Sequence, residues 1–251
     1  MADDLILETE GLTKEFKGFV AVSDVNLRVR RGTIHALIGP NGAGKTTCFN
    51  LLTKFLPSTR GVIRFNGRDI TSAKPAGVAR MGMVRSFQIS AVYPHLSVLE
   101  NVRVGLQRKL ETSFHFWKGE QSLSHLDGEA LQLLDAVGLK DFATMNTAEL
   151  SYGRKRALEI AATLALDPEL MLLDEPTSGM GHEDVSLVQA LIKRVAANRT
   201  VLMVEHNLGV VAALSDTITV LARGSVLAEG PYAEIARNPE VKTAYMGTAH
   251  A

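Results

Sequence analysis

The sequence predicts an α/β protein with three parts: a parallel-sheet core, an antiparallel β patch near the N-terminus and an inserted helical segment. Apolar residues alternate with polar ones at residues 5–7 and 25–29, which is typical of antiparallel strands. After residue 166, apolar strands alternate with helices, and this alternation indicates a parallel sheet wrapped by helices. Residues from about 89 to 165 show helical periodicity instead.

The individual elements follow from local patterns along the chain. Predicted strands are residues 34–38, 62–65, 82–87, 170–173, 201–204 and 218–221. Predicted helices are residues 47–55, 98–106, 130–137, 157–166, 183–197 and 207–214. Asn66-Gly67 indicates a hairpin turn. We therefore assign residues 1–88 and 166–251 to the core with its β patch, and residues 89–165 to a helical subdomain.

Composition narrows the class of protein. The 251 residues include 27 Lys and Arg and 27 Asp and Glu, so the formal net charge is zero. A dedicated nucleic-acid binder usually carries a basic excess, and we therefore expect no nucleic-acid partner. The N-terminus is acidic and lacks the pattern of a secretory signal. No uncharged apolar stretch approaches 18 residues, so another chain must supply any membrane-spanning part.

Cys48 is the only cysteine, which excludes an intrachain disulfide and favours a reducing compartment. Two interpretations of Cys48 are open. In the first, it is a small apolar side chain that is buried in the core. In the second, its thiol lies beside the positive start of the helix, which would lower its pKa. We favour the buried apolar residue.

The segment Gly39-Pro40-Asn41-Gly42-Ala43-Gly44-Lys45-Thr46-Thr47 matches the phosphate-binding pattern G-x-x-x-x-G-K-[ST] in full. An apolar strand precedes this phosphate loop and a helix follows it. Its glycines permit positive φ angles, so that successive main-chain N–H groups point at an anion. Lys45 then faces the β- and γ-phosphates, and the Thr46 hydroxyl faces Mg²⁺. The sequence therefore predicts nucleotide binding, with ATP and Mg²⁺ as the ligands.

Two acidic residues end the buried strand predicted at 170–173. Asp174 is predicted to hold Mg²⁺, directly or through water, and Glu175 to polarise a water in line with the γ-phosphate. An apolar run that ends in acids is commonly only a strand end. Beside a phosphate loop it predicts the catalytic edge of an α/β sheet.

Leu150-Ser151-Tyr152-Gly153-Arg154 resembles the ABC signature, usually written LSGGQ. The phosphate loop, Gln88, this signature, the two acids and His206 stand in the order of that family. From about residue 6 to about 230, the chain therefore resembles an ABC-type ATPase. The resemblance implies the fold of that family, a P-loop NTPase core with an antiparallel β subdomain and an inserted α-helical subdomain.

The resemblance also implies roles for single residues. Phe16 stacks on adenine, which we favour over the alternative of a core or staple residue. Gln88 senses Mg²⁺ and the attacking water, and His206 reaches the γ-phosphate. Ser151 and Gly153 contact the γ-phosphate held by a second ATPase subunit, identical or paralogous. Half of each catalytic site then comes from the partner.

Three departures from the family pattern qualify these roles. Tyr152 replaces the first glycine of the signature, so a positive φ at that position would be costly. Arg154 replaces glutamine and adds positive charge near the ATP. Gly181 stands where an aspartate is often found in the dimer-contact loop after the catalytic glutamate.

Several strings resemble the ATP-binding subunits of bacterial branched-chain and other hydrophobic amino acid importers. They are Met83-Val84-Arg85-Ser86-Phe87-Gln88, the long insert after Leu106, the Tyr152-Gly153 variant, Glu205-His206-Asn207 and the C-terminal Asn238 to Gly247. This resemblance implies integral membrane permease subunits as partners and a cytoplasmic location on the inner face of the plasma membrane. Urea importers, non-transport ABC ATPases, P-loop kinases and regulatory nucleotide-binding modules remain as alternatives.

Overall fold

The computed structural model describes residues 4–86, 92–107 and 125–246. The strands are β1 (Leu5–Phe16), β2 (Phe19–Val25), β3 (Arg28–Arg30), β4 (Ile34–Ile38), β5 (Arg60–Phe65), β6 (Arg68–Asp69), β7 (Met83–Ser86), β8 (Leu170–Asp174), β9 (Thr200–Val204), β10 (Thr217–Ala222) and β11 (Ser225–Gly230). The helices are α1 (Lys45–Leu52), α2 (Pro75–Arg80), α3 (Val98–Leu106), α4 (Asp127–Ala136), α5 (Tyr152–Leu164), α6 (His182–Ala196), α7 (Leu208–Leu214), α8 (Tyr232–Ile235) and α9 (Pro239–Met246).

The chain divides into two compact units. The first, the core unit, consists of Met1–Arg85, Glu169–Pro176 and Ile192–Ala251. The second, the helical unit, consists of Ser86–Pro168 and Thr177–Leu191. The segment Thr177–Leu191, with the first part of α6, therefore groups with the helical unit, whereas our sequence boundaries place it in the core.

The main sheet of the core unit has the strand order β11-β10-β4-β9-β8-β7. Strands β10, β4, β9 and β8 run parallel, and every residue of β4, β8 and β9 is buried. Strands covered on both faces read as continuous apolar runs, which is why the sequence reveals them. Their carboxyl ends share one edge of the sheet. The segments that follow β4, β8 and β9 are the phosphate loop, Asp174-Glu175 and Glu205-His206.

The second sheet is antiparallel, with the order β2-β1-β5-β6 and with β3 also paired to β1. Our prediction of one strand at residues 25–29 is wrong, because β2 ends at Val25 and β3 begins at Arg28. At the break, the Asn26 side-chain oxygen accepts the Gly11 N–H at 2.8 Å. The Asn26 side chain thus replaces a main-chain hydrogen-bond partner between β2 and β3, which both pair with β1.

The sequence analysis missed α2, α8, β6 and β11, and it included only Val25 of β2. Helix α2 has six residues and begins with a proline, so it is too short to show a helical period. Strand β11 forms a hairpin with β10 through Arg223 and Gly224, whose φ angles are 51° and 82°. Two positive φ angles suit a tight hairpin, but Arg-Gly is not the Asn-Gly or Asp-Gly pair that marks such turns in sequences.

In the core unit, His35 on β4 is 1% exposed. The Thr219 hydroxyl donates to Glu229 at 2.6 Å, so it accepts from His35 Nε2, which lies 2.8 Å away. Burial lowers the pKa of His35 to about 4. The unfolded chain, with a pKa near 6.5, therefore binds the proton first as the pH falls.

We expect His35 to contribute stability that is full above about pH 6.5 and is lost as the pH falls towards 4. Between pH 7.5 and 5, the free energy of unfolding should fall by about 2 kcal/mol more in the parent than in His35→Asn. Denaturant unfolding at both pH values measures this difference, with the exposed His95→Asn as the control. The same pH dependence in parent and His35→Asn would contradict the expectation.

The helical unit is held by α3, α4 and α5. Gly105 on α3 lies close to α5, since a Cβ there would come within 2.8 Å of Ala165 Cβ. Ser97 caps α3 in a reciprocal capping box with Glu100. The Asn101 amide donates to Tyr93, Ser97 and Thr147, which ties the loops on either side to this helix. None of the described helices is both long and apolar enough to cross a bilayer.

Candidate functional site

The phosphate loop leads from β4 into α1, and its glycines adopt positive φ angles, 151° at Gly39, 76° at Gly42 and 97° at Gly44. Two of these positions also have no room for a side chain. A Cβ would lie 2.1 Å from Leu221 O at Gly39 and 2.5 Å from Ala21 O at Gly44. Both obstacles are main-chain oxygens, which cannot rotate away. Glycine is therefore required here by neighbouring strands as well as by φ.

Lys45 is held inside the phosphate loop. Its Nζ donates to Gly39 O at 2.7 Å and to Pro40 O at 3.0 Å. Burial lowers the pKa of Lys45, and the negative charge of Glu175 opposes this effect. The ammonium is thus partly desolvated, bonded to the loop carbonyls and close enough to Glu175 to interact with it. A partly desolvated cation attracts phosphate oxygens more strongly than a hydrated one.

The structure makes Gly39 a sensitive position. We expect Gly39→Ala to lower the free energy of unfolding by about 1–3 kcal/mol through overpacking. Because the loop must shift to accept the methyl group, ATP should also bind roughly tenfold more weakly or worse, a loss of about 1.4 kcal/mol. Denaturant unfolding and ATP titration measure both effects. Gly77→Ala on α2 is the control, since a Cβ there meets nothing within 4 Å. Equal ATP affinities in the two variants would contradict the expectation.

The two acidic residues after β8 differ in their surroundings. Asp174 is 1% exposed, and its carboxylate is ion-paired with the Arg85 guanidinium. Glu175 has φ 44°, in the left-handed region, and its N–H donates to Val204 O at 2.9 Å. A non-glycine residue with positive φ costs free energy and is found at functional positions. The turn ends β8 and leaves the Glu175 side chain 26% exposed.

His206 lies near Glu175, with 3.8 Å between His206 Nδ1 and Glu175 Oε2, and its side chain is 56% exposed. Two neighbours fix its loop. The buried Glu205 carboxylate accepts the N–H of His206 at 3.1 Å and of Asn207 at 3.3 Å. The Asn207 side chain caps α7 by accepting from Gly209 N and Val210 N. The imidazole is therefore presented beside Glu175 from a braced main chain.

Phe16 is the last residue of β1, and 42% of its surface is exposed to solvent. Lys14 Nζ lies 5.1 Å from the centre of its ring. This exposure excludes the alternative of a core residue. Stacking on adenine stays a prediction, and the exposure of the ring is consistent with it.

The predicted signature residues belong to the helical unit. Ser151 is the N-cap of α5, and its Oγ accepts from Arg154 N at 3.4 Å. Tyr152 is the first residue of α5 and has no positive φ, so the cost expected for this replacement is absent. Gly153 is packed against α6, where a Cβ would lie 2.3 Å from Asp184 Oδ1. The Arg154 guanidinium stacks 4.2 Å from the centre of the Phe142 ring.

The metal-binding expectation involves Thr46, Gln88 and Asp174. Gln88 lies outside the described residues. Thr46 is exposed at the start of α1, and Asp174 is buried after β8. Within the described ranges, no group of three or more His, Cys, Asp or Glu side chains is placed to hold a metal ion. A hydroxyl and a carboxylate nevertheless fit Mg²⁺, which takes few protein oxygens and completes its shell with phosphates and water.

Cys48, on the buried side of α1, behaves as the apolar residue that we favoured. It is fully buried, and burial raises the pKa of its thiol to about 12. The alternative of a lowered pKa at the helix start is therefore wrong. Burial removes water from the thiolate and so disfavours the charged form.

The C-terminal helix α9 reaches the phosphate loop. A cavity of about 660 Å³ is lined by residues of both and of the β10–β11 hairpin, namely Pro40, Asn41, Gly42, Ala43, Ala222, Arg223, Leu227, Pro239, Glu240, Thr243 and Ala244. Burial raises the pKa of Tyr245 on α9. The last described helix and the phosphate loop therefore line the same cavity.

The sequence analysis assigned no role to Arg85, Asn50 or Glu205, although Arg85 and Glu205 lie in strings that it quoted. Arg85 Nη1 donates to Asn50 Oδ1 at 2.6 Å, while the same guanidinium pairs with Asp174. The one available signal was a charged residue inside an otherwise buried strand, β7. A charge at such a position needs a partner, but the sequence does not identify which one.

Comparison with known proteins gives consistent matches. A family model described as ABC transporter matches residues 22–178, and a model described as branched-chain amino acid ATP-binding cassette transporter matches residues 225–251. BraF of Pseudomonas aeruginosa, a high-affinity branched-chain amino acid transport ATP-binding protein, is 38% identical over 97% of this chain and 98% of that protein. LivG of Escherichia coli (strain K12), which carries the same description, is 37% identical over the same shares.

Solved structures agree with these relatives. The crystal structure of the ADP conformation of MJ1267, an ATP-binding cassette of an ABC transporter, matches with a TM-score of 0.86. It is 30% identical, and the match covers 97% of this chain and 99% of that one. A nucleotide-free ATP-binding cassette from an ABC transporter matches with a TM-score of 0.83 at 29% identity, over 95% of this chain and 97% of that one.

Proposed function

The chain belongs to the ABC transporter family of ATP-binding proteins, and from this membership we propose that it is the ATPase subunit of a membrane importer for branched-chain or other hydrophobic amino acids. One observation carries the proposal: relatives described as branched-chain amino acid transport ATP-binding proteins are 37–38% identical over 97% of the chain. The match of residues 225–251 to the branched-chain model supports it, because that segment lies outside the general ABC transporter match.

In the proposed reaction, Glu175 accepts a proton from a water molecule. The water oxygen bonds to the γ-phosphorus while the bond between that phosphorus and the β,γ-bridging oxygen breaks, and the bonding electrons leave with ADP. Lys45 and the loop N–H groups stabilise the negative charge that collects on the phosphate oxygens. We assign to His206, whose Nδ1 lies 3.8 Å from Glu175 Oε2, a contact with the same phosphate. These roles suit the positions of the side chains at one edge of the sheet.

We assign Thr46, Asp174 and Gln88 to the Mg²⁺ site. When bound, Mg²⁺ neutralises charge on the β- and γ-phosphate oxygens and orients them. The hydroxyl and carboxylate supply the hard oxygen ligands that this ion prefers. Asp174 is buried, and its pairing with the Arg85 guanidinium holds the carboxylate at the end of β8, which suits this role.

We further propose that the site is completed by a second ATPase subunit, identical or paralogous. Ser151 and Gly153 of one subunit contact the γ-phosphate bound by the other. The start of α5 suits this role, because its first N–H groups and its helix dipole favour an anion. Permease subunits would hold the pair at the inner face of the plasma membrane.

Co-expression with the membrane proteins encoded beside this chain tests the transport function. The expected result is co-purification of a complex that, in vesicles, takes up labelled leucine only when ATP is inside. The Glu175→Gln complex is the matched control and should bind ATP without uptake. Uptake of another class of solute, with no uptake of leucine, isoleucine or valine, would contradict the proposed cargo but not the ATPase assignment. Uptake without ATP would contradict both the cargo and the role of the ATPase in transport.

A further inference from the structure

Arg85 connects separate segments of the core unit through one guanidinium. It pairs with the Asp174 carboxylate and donates from Nη1 to Asn50 Oδ1 at 2.6 Å. Its guanidinium also lies over the Phe49 ring, 5.6 Å from the ring centre. The Arg85 side chain is 9% exposed and that of Asp174 is 2% exposed. A buried guanidinium with two directed hydrogen bonds fixes both partners more firmly than a surface ion pair does.

Each partner of Arg85 stands next to a residue of the proposed Mg²⁺ site. Asn50 follows Thr46 by four residues on α1, and residues four apart lie on one face of a helix. Asp174 is itself a proposed ligand, at the end of β8. Arg85 therefore connects two parts of the proposed site. Through Asn50 it contacts the face of α1 that carries Thr46, and it also pairs with the Asp174 carboxylate.

We propose that Arg85 is a positioning residue that sets the separation between Thr46 and Asp174, and thereby the affinity of the nucleotide site for Mg²⁺. The inference rests on the proposed Mg²⁺-dependent binding of ATP. Arg85 engages Asp174 Oδ2, so the guanidinium fixes where this carboxylate lies.

Geometry, and not charge alone, gives Arg85 this role. A lysine would keep the positive charge beside Asp174, but a single ammonium lacks the planar fork that reaches two partners at once. Arg85→Lys therefore separates electrostatic compensation from positioning. Asn50→Ala removes only the contact to α1 and keeps the pair between Arg85 and Asp174.

The test measures binding of a fluorescent ATP analogue to the full chain in the Glu175→Gln background, first in EDTA and then across a Mg²⁺ titration. For Arg85→Lys, the Mg²⁺ concentration at half-effect should rise roughly 10–100-fold, the usual loss when a residue that holds a metal ligand is changed. Affinity in EDTA should stay unchanged. Asn50→Ala should shift the Mg²⁺ midpoint in the same direction by a smaller factor. The control is Arg28→Lys, whose side chain is 68% exposed and 3.8 Å from Glu8.

The outcomes are separable. A Mg²⁺ midpoint that is unchanged in both Arg85→Lys and Asn50→Ala would overturn the inference, even if either variant is less stable to heat. Equal losses of affinity in EDTA and in Mg²⁺ would also overturn it, since they indicate only a damaged fold. If Arg85→Lys fails to fold, Asn50→Ala decides. If the Glu175→Gln parent binds the analogue without any Mg²⁺ dependence, the proposed metal site itself fails.

Discussion

Glu175→Gln is expected to lower ATP turnover by roughly 10²–10⁴ while leaving ATP binding intact, because a general base typically contributes an effect of this size. Glutamine keeps the shape and hydrogen-bonding capacity of the side chain but cannot accept the proton of water. The backbone supports this assignment. Glu175 adopts φ 44° directly after β8, held by the bond from its N–H to Val204 O. The strained turn places the carboxylate beside Lys45 and His206.

Steady-state phosphate release and equilibrium binding of ATP, measured on the same preparation, check this result. The exposed Glu234→Gln on α8 is a matched control that should hydrolyse ATP at the parent rate. Hydrolysis that is unchanged in Glu175→Gln would remove this residue from its role. If the variant loses ATP binding as well as turnover, Glu175 contributes to binding of ATP and not to the chemical step.

Much of the fold is readable from the sequence because its central strands are buried on both faces. Strands β4, β8 and β9 are mainly apolar runs, and α3 follows its predicted bounds at Val98–Leu106. The errors occur where tertiary contacts decide. The break between β2 and β3 depends on a hydrogen bond from Gly11 to Asn26, fifteen residues away. No local pattern encodes such a contact.

The site shows the same contrast. The phosphate loop and Asp174-Glu175 are contiguous motifs, so residue type and spacing suffice to find them. The contacts of Arg85 join residues 35 and 89 positions apart, and only the folded chain brings them together. Tyr152 shows a related point. A positive φ there would be costly, but only the structure shows that the residue begins α5 and that the cost does not arise.

The second large effect concerns protein concentration. If Ser151 and Gly153 of one subunit complete the ATP site of another, an isolated monomer lacks half of its catalytic groups. Well below the dissociation constant of the pair, the paired fraction is proportional to concentration. We therefore expect specific activity to rise about tenfold for each tenfold increase in protein, and then to reach a plateau.

The required coupling is moderate. Moving a two-state pair from 1:99 to 99:1 takes about 5.5 kcal/mol of differential binding, or roughly 2.7 kcal/mol from each of two ATP molecules. A few charge-assisted hydrogen bonds at the start of α5 supply free energy on this scale. Phosphate release measured from nanomolar to micromolar protein, with light scattering at each concentration, checks the prediction. A flat specific activity from a protein that stays monomeric throughout would mean that each chain hydrolyses ATP alone, and the shared site would have to be abandoned.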